Sequence, residues 1–225
     1  MLLLATDTSG KSGGITLAEG DQASFRVLES SSIAGGTFSA QLVPTLAALL
    51  QKHGLSAVKI DGFTPISGPG SFTGLRVGLS AIKGLAEVLK KPIAPVSLLE
   101  ALVALSHEQG QIAAALDAGR SQVFLGLYEF ASDQATKRSE RLLTQPEFVE
   151  ELRSSRPVCV ITSDHFIAQI AAEAGVKVQE VERPGSEIAA RIGLRKLLAG
   201  DTVSVEALDA NYIRRSDAEI FFKAD

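Results

Sequence analysis

Gly68-Pro69-Gly70-Ser71-Phe72-Thr73-Gly74-Leu75-Arg76-Val77-Gly78 is the stretch from which the fold is read. It follows an apolar run, Ile60 to Pro65, that reads as a buried strand. It opens onto a helical pattern from about Leu75 to Lys90, which Lys91-Pro92 stops. A glycine-rich turn between a strand and a helix leaves backbone N–H groups at the positive end of the helix dipole, where an anion is favoured. Two readings stay open: a phosphate cradle, or a tight turn in which Ser71 or Thr73 caps the helix. The stretch is not a Walker loop, because Leu75-Arg76 follows Gly74 where Lys-Ser or Lys-Thr is required. Nor is it a nucleophile elbow, because no glycine stands two residues before Ser71.

The helix that follows carries small residues at Gly74, Gly78, Ala81 and Gly84, at steps of four, three and three. Glycine inside a helix costs about 0.5–1 kcal/mol relative to alanine, so such a face calls for a reason. A face without side chains lets another backbone approach closely. The partner is either the helix predicted from Phe38, Leu42, Val43, Leu46, Leu49 and Leu50 in the same chain, or a helix of another subunit, and the two are compatible. Pro44 inside that first helix is expected to loosen or kink its opening turns.

Upstream, Leu2 to Thr6, Ile15 to Ala18 and Ser24 to Leu28 read as paired strands joined by turns, the first turn being Asp7-Thr8-Ser9-Gly10-Lys11-Ser12-Gly13-Gly14. Gly10-Lys11-Ser12 imitates the end of a phosphate loop, but Ala5 stands where the earlier glycine is needed and a strand follows. Downstream, a helix from Ser97 to about His107 leads to a strand, Gln111 to Asp117, a small-residue turn and a further strand, Val123 to Phe130. Strand, aspartate, turn and strand thus recur 110 residues after the first instance, which points to two lobes of related topology. Asp7, Thr8, Ser9 and Asp117 sit where a two-lobed nucleotide-binding fold places its phosphate hairpins; the alternative is a plain Asx or Ser/Thr turn. Asp133 to Arg141 reads as a polar surface connection. Helices follow near Pro146–Arg153, Asp164–Ala174 and Ser186–Leu198, with a strand at Val158–Ile161.

The chain has 225 residues, 45% of them hydrophobic and 21% charged, which is globular composition and excludes a disordered chain. The net charge of −4 provides no global attraction for nucleic acid, and two tyrosines without tryptophan supply few stacking platforms. No run is long and apolar enough to cross a membrane, and the first residues read as a strand, not a signal peptide, so a cytoplasmic location is expected. The single cysteine, Cys159, reads as a buried small hydrophobe. The three histidines, His53, His107 and His165, are isolated, and no protein-made metal site is expected.

Leu2 to Ser9 together with Gly68 to Gly78 resembles the bacterial TsaB (YeaZ) family. The likeness continues through Leu116-Asp117-Ala118 and returns at Tyr212-Ile213-Arg214-Arg215-Ser216-Asp217-Ala218-Glu219. It is dense over residues 1 to about 130 and thin between roughly 131 and 205. The resemblance implies an α/β, actin- and hexokinase-like two-lobed fold, each lobe a mixed sheet with flanking helices. The lobes would cover 1–100 and 101–225, with the tail packing back on the first. It also implies a non-catalytic scaffold or activator subunit in making threonylcarbamoyladenosine on transfer RNA. The chain lacks the His-x-x-x-His metal motif of the catalytic relative, TsaD. The partners implied are a TsaD-like catalytic subunit, a TsaE-like ATPase and, for the isolated chain, a second copy of itself. Transfer RNA would be met only through the complex, and ATP or ADP only at the partner interface. The interface positions implied are Phe38, Leu42, Leu46, Gly74, Arg76, Val77, Gly78, Ala81, Ile82, Gly84 and Leu85. Departures from the family pattern fall at Phe38-Ser39, at Gly119 before Arg120, and at Asp209-Ala210. Two alternatives are an ATP-dependent kinase or ATPase of the same fold acting alone, and a metallopeptidase, which the scattered histidines do not serve.

Overall fold

A computed structural model describes residues 1–211 and Ile213; the tail motif beginning at Tyr212, and with it the expected packing of the tail, lies outside the described residues apart from Ile213. The described residues divide into two compact units, Met1–Leu98 with Pro184–Ala210, and Leu99–Arg183 with Asn211 and Ile213.

The first unit is built on strands β1 (Leu2–Asp7), β2 (Ser12–Gly20), β3 (Phe25–Ala34), β4 (Gly62–Gly68) and β5 (Val96–Ser97), in the order β3-β2-β1-β4-β5. The β1–β2 and β2–β3 pairs are antiparallel, and β1–β4 and β4–β5 are parallel. Period-two alternation gives the sheet two buried faces. Leu4, Ile15, Leu17 and Phe63 share a core with Phe38, Leu42, Leu46, Leu49 and Leu50 of α1 (Phe38–Lys52) and Leu75, Leu79 and Ile82 of α2 (Phe72–Leu89). The intervening residues meet a later helix, numbered α6 here (Ser186–Ala199). Thr16 Oγ1 lies 2.8 Å from Ser186 Oγ, Gly193 lies on the Thr64 side chain, and Leu197 covers Gly62.

The second unit has the same plan. Its strands are β6 (Gly110–Gly119), β7 (Gln122–Ala131), β8 (Gln134–Thr144), β9 (Cys159–Thr162) and β10 (Val178–Glu180), in the order β10-β9-β6-β7-β8. Antiparallel β6–β7 and β7–β8 pairs adjoin parallel β6–β9 and β9–β10 pairs. Helices α4 (Gln145–Ser155) and α5 (His165–Glu173) cover one face, with Phe148, Leu152, Ile167 and Ala171 packed on Ala113, Ala115, Leu125 and Val160. A short α3 (Leu98–Val103) meets the β7 backbone at Gly126, where Leu99 Cβ is 3.2 Å from the position a side chain would occupy. The duplicated order is the two-lobed actin-like architecture that the resemblance implies.

Several expectations are corrected. Asp133 to Arg141 is no loose connection but the greater part of an eleven-residue edge strand, β8. Its charged residues, Lys137, Arg138, Glu140 and Arg141, blunt the edge against further pairing. The division by sequence alone ran the second lobe from 101 to 225, whereas α6 packs on β1, β2 and β4 of the first unit. The two-residue β5 and three-residue β10 are too short to carry a hydrophobic period of their own. The helix after Ser97 ends at Val103, and α1 runs without a break through Pro44, whose ring is exposed. Cys159 is fully buried, as expected.

Candidate functional site

The first hairpin is a closed structure. Asp7, Thr8 and Ser9 are each no more than 3% exposed. Asp7 Oδ1 accepts from the Ser9 backbone N–H at 2.8 Å and from the Ser9 hydroxyl, an Asx turn that stiffens the bend. The Gly68–Gly78 stretch closes over it. Ser71 N–H donates to the Ser9 carbonyl at 2.8 Å. A Cβ on Gly70 would lie 2.3 Å from that same oxygen. Ser71 is also the N-cap of α2, its hydroxyl accepting from Gly74 N–H at 3.3 Å, so the capped-turn reading of this stretch describes its geometry.

Gly74 and Gly78 explain their own presence. A Cβ on Gly74 would lie 2.1 Å from the Thr8 carbonyl oxygen, and one on Gly78 would lie 2.2 Å from Thr8 Oγ1. Both are excluded distances, so these two glycines are required by a contact inside the chain. This corrects the expectation of one continuous bare stripe for a foreign helix. Only Gly84 faces open space, with nothing within 4 Å of its would-be Cβ.

The other expected interface residues divide by helical phase. Phe38, Leu42, Leu46 and Ile82 point into the core of the unit. Val77, Ala81 and Leu85 are half-buried at its margin, while Arg76 and Gly84 are exposed. The Arg76 guanidinium stacks over the Phe72 ring, 3.8 Å from its centroid, holding both at the start of α2. Two apolar residues absent from the expected set stand out on these helices: Val43 is 56% exposed on α1 and Val88 is 79% exposed on α2. Val88 follows Gly84 and Leu85 at helical spacing, and Val43 lies on the α1 face with Ala40 and Ala47. Extending α2 by its 3.6-residue period from Gly84 would have found Val88, whereas Val43 lies off the buried row of Phe38, Leu42 and Leu46 from which α1 was chosen.

In the second unit Asp117 is exposed. Its carboxylate accepts from Gly119 N–H at 2.8 Å, and its own N–H donates to Asp164 Oδ2 at 2.7 Å. The hydrogen-bond partners of the three histidines lie outside both hairpins. His53 Nε2 lies 2.8 Å from Glu29 Oε2 and His165 Nδ1 lies 3.2 Å from Glu180 Oε2. The His107 N–H donates to Gln179 at 3.0 Å. Hydrogen bonds from Lys52 and then His53 hold the Glu29 carboxyl below the usual carboxylate range. Burial pushes the Cys159 thiol up. Among the described residues no cluster of three or more His, Cys, Asp or Glu could hold a metal ion, and no helix is long and apolar enough to cross a membrane.

Comparison with known proteins adds to this geometry. A family model described as TsaD, tRNA N6-adenosine threonylcarbamoyltransferase, matches residues 32–157, more than half of the chain. The tRNA threonylcarbamoyladenosine biosynthesis protein TsaB of Bacillus subtilis (strain 168) is 35% identical over 131 residues, 58% of this chain and 56% of that protein. Its namesake in Haemophilus influenzae is 31% identical over 128 residues, 55% of this chain and 52% of that protein. The chain thus spans about half the length of the curated relatives it matches. Among solved structures, YeaZ from Pseudomonas aeruginosa superposes with a TM-score of 0.74 at 23% identity, covering 93% of this chain and 99% of that one, a likeness of fold.

Proposed function

The chain belongs to the TsaD model's family and, within it, to the TsaB (YeaZ) proteins; on that premise we propose that it is a non-catalytic scaffold or activator subunit in the making of threonylcarbamoyladenosine on transfer RNA. It binds a TsaD-like catalytic subunit through α1 and α2 and works with a TsaE-like ATPase in the cytoplasm. The isolated chain pairs with a second copy through the same helices. Transfer RNA is engaged through the complex, and ATP or ADP, where present, lies at the partner interface.

The observation that carries this reading is the pair of packed helices with exposed apolar outer positions: Val43 on α1, Val88 on α2, and the open backbone at Gly84. Such positions lose solvent on association, and each valine buried contributes about 1.5–3 kcal/mol. Gly84 admits a close backbone. Gly74 and Gly78 have no part in that contact, since Thr8 occupies them.

The test is co-purification with the TsaD-family protein of the same source, followed by an assay of modified adenosine with and without this chain. Val88→Asp is expected to abolish the complex while circular dichroism stays unchanged, and modification is expected to depend on both proteins. Threonylcarbamoyl transfer by the chain alone, or an intact complex with Val88→Asp, would overturn the proposal.

A further inference from the structure

Four positions of one short segment end on two residues of the first hairpin. Gly70 lies over Ser9, Ser71 N–H is bonded to the Ser9 carbonyl, Gly74 lies on the Thr8 carbonyl, and Gly78 lies on the Thr8 side chain. Thr8 is 2% exposed, and Asp7 holds Ser9 from the other side, so the bend offers a stiff surface. We propose that this hairpin is the seat that sets the position of α2, that Thr8 is its positioning residue, and that the partner-binding face of α2 is presented correctly only while the seat is filled. The Ser9 N–H, which a phosphate hairpin would turn toward its ligand, is committed to Asp7, and the space over Thr8 is filled by the chain's own helix.

The proposal rests on the reading of α1 and α2 as the partner-binding helices. Its physical content is leverage. Gly78 and Val88 lie on one helix, about 15 Å apart at 1.5 Å per residue, so a tilt of about 5° at the seat moves Val88 by roughly 1 Å. Close-packed contacts do not absorb such a shift without loss. Two glycines one turn apart fit around one threonine because neither has a Cβ to hold the backbone away. Residues far from the outer surface thereby acquire an effect on binding.

The experiment is a double-mutant cycle on the full chain, read as affinity for the TsaD-family partner by calorimetry. Gly78→Ala puts a methyl against Thr8 Oγ1 and is expected to weaken binding at least about ten-fold. Thr8→Ala removes that oxygen and the Cγ2 methyl, leaving Thr8 Cβ at 3.1 Å from the new methyl. The double variant is expected to return to within about three-fold of the parent, the non-additivity that touching residues show. Val88→Asp, on the outer face, is expected to lose binding whether or not Thr8 is altered. Parent-like affinity for Gly78→Ala, or failure of Thr8→Ala to restore it, overturns the seat. Parent-like affinity for Val88→Asp overturns the underlying reading of the interface instead. If Gly78→Ala does not fold, Thr8→Ala alone decides. Affinity about three- to ten-fold weaker with unchanged circular dichroism supports the seat, and parent-like affinity rejects it.

Discussion

In the first unit Asp7, Thr8 and Ser9 are sealed beneath α2; in the second, the residues at the same place in the topology, Asp117 to Ser121, lie at the surface. Both hairpins join the central strand of a five-stranded sheet to its antiparallel neighbour, and both use an aspartate to accept from the N–H two residues on. Strand order therefore does not decide whether such a hairpin is open. The helix that follows the parallel strand does. α2 begins in a glycine-rich turn, carries Gly74 and Gly78 on its inner face and runs for 18 residues; α5 has no glycine and runs for nine. The second hairpin is met instead by a side chain, that of Asp164 at the N-cap of α5, whose carboxylate accepts from Asp117 N–H. The second bend is free to take three successive left-handed residues, Gly119, Arg120 and Ser121, with φ of 69°, 54° and 57°. Closure follows from bare backbone rather than from topology.

Substitutions can break that contrast, beginning with the one of largest effect. Gly74→Val sets a branched side chain against the Thr8 carbonyl, which has no rotamer to move into. A loss of about 3–5 kcal/mol is expected, seen in hydrogen–deuterium exchange as early opening of the first unit alone. In the second unit Glu140 is a nearly buried carboxylate bonded by the Tyr128 hydroxyl and, at 2.6 Å, by Asn211 Nδ2. Glu140→Ala strands these donors, and about 1.5–3 kcal/mol should be lost, measured by urea denaturation. Thr144 and Glu147 form a reciprocal capping box at the start of α4. Thr144→Ala is expected to cost about 1 kcal/mol, with exchange rising in the first turn of that helix.

Gly84→Ala sharpens the comparison in the opposite direction. With open space around its Cα, the added methyl should stabilise α2 by about 0.5–1 kcal/mol, raising the midpoint of thermal unfolding while Gly74→Val lowers it. The smallest effect concerns pH. The Glu29 carboxyl is held below its ordinary value by Lys52 and His53, so its contribution is present above the unfolded carboxyl's pKa and is lost as pH falls through the lower, folded one. Glu29→Gln should flatten the acid limb of the first unit's stability below about pH 4.5, leaving the second unit's limb unchanged.

Much of this was legible beforehand because it depends on local chemistry. Short apolar runs bounded by turn residues marked β1, β2, β6 and β7, apolar spacing marked α1, α2 and α6, and the repeat of strand, aspartate and turn announced the duplicated plan. Resemblance in Gly68 to Gly78 and in the first strand led to the family. β8 was missed because an edge strand that is polar or charged through most of its length, with its leucines adjacent at Leu142 and Leu143, has no hydrophobic alternation to read. Val43 and Val88 were missed because apolar residues at helical spacing were assigned to the contact without asking which phase the core already used.

By itself the sequence determined the types of the long apolar elements, the recurrence of like halves and the presence of glycines that need a close neighbour, since each is set by side-chain pattern or by the absence of a Cβ. Only the tertiary structure decided which neighbour Gly74 and Gly78 have, and that α6 belongs to the first unit. Both are contacts between residues distant along the chain, Thr8 with Gly78 and Thr64 with Gly193, and a linear pattern holds no distance between such positions. The same bare helix face would read alike against a foreign helix or its own hairpin; the 2.1 Å left between Gly74 and the Thr8 carbonyl chooses the hairpin.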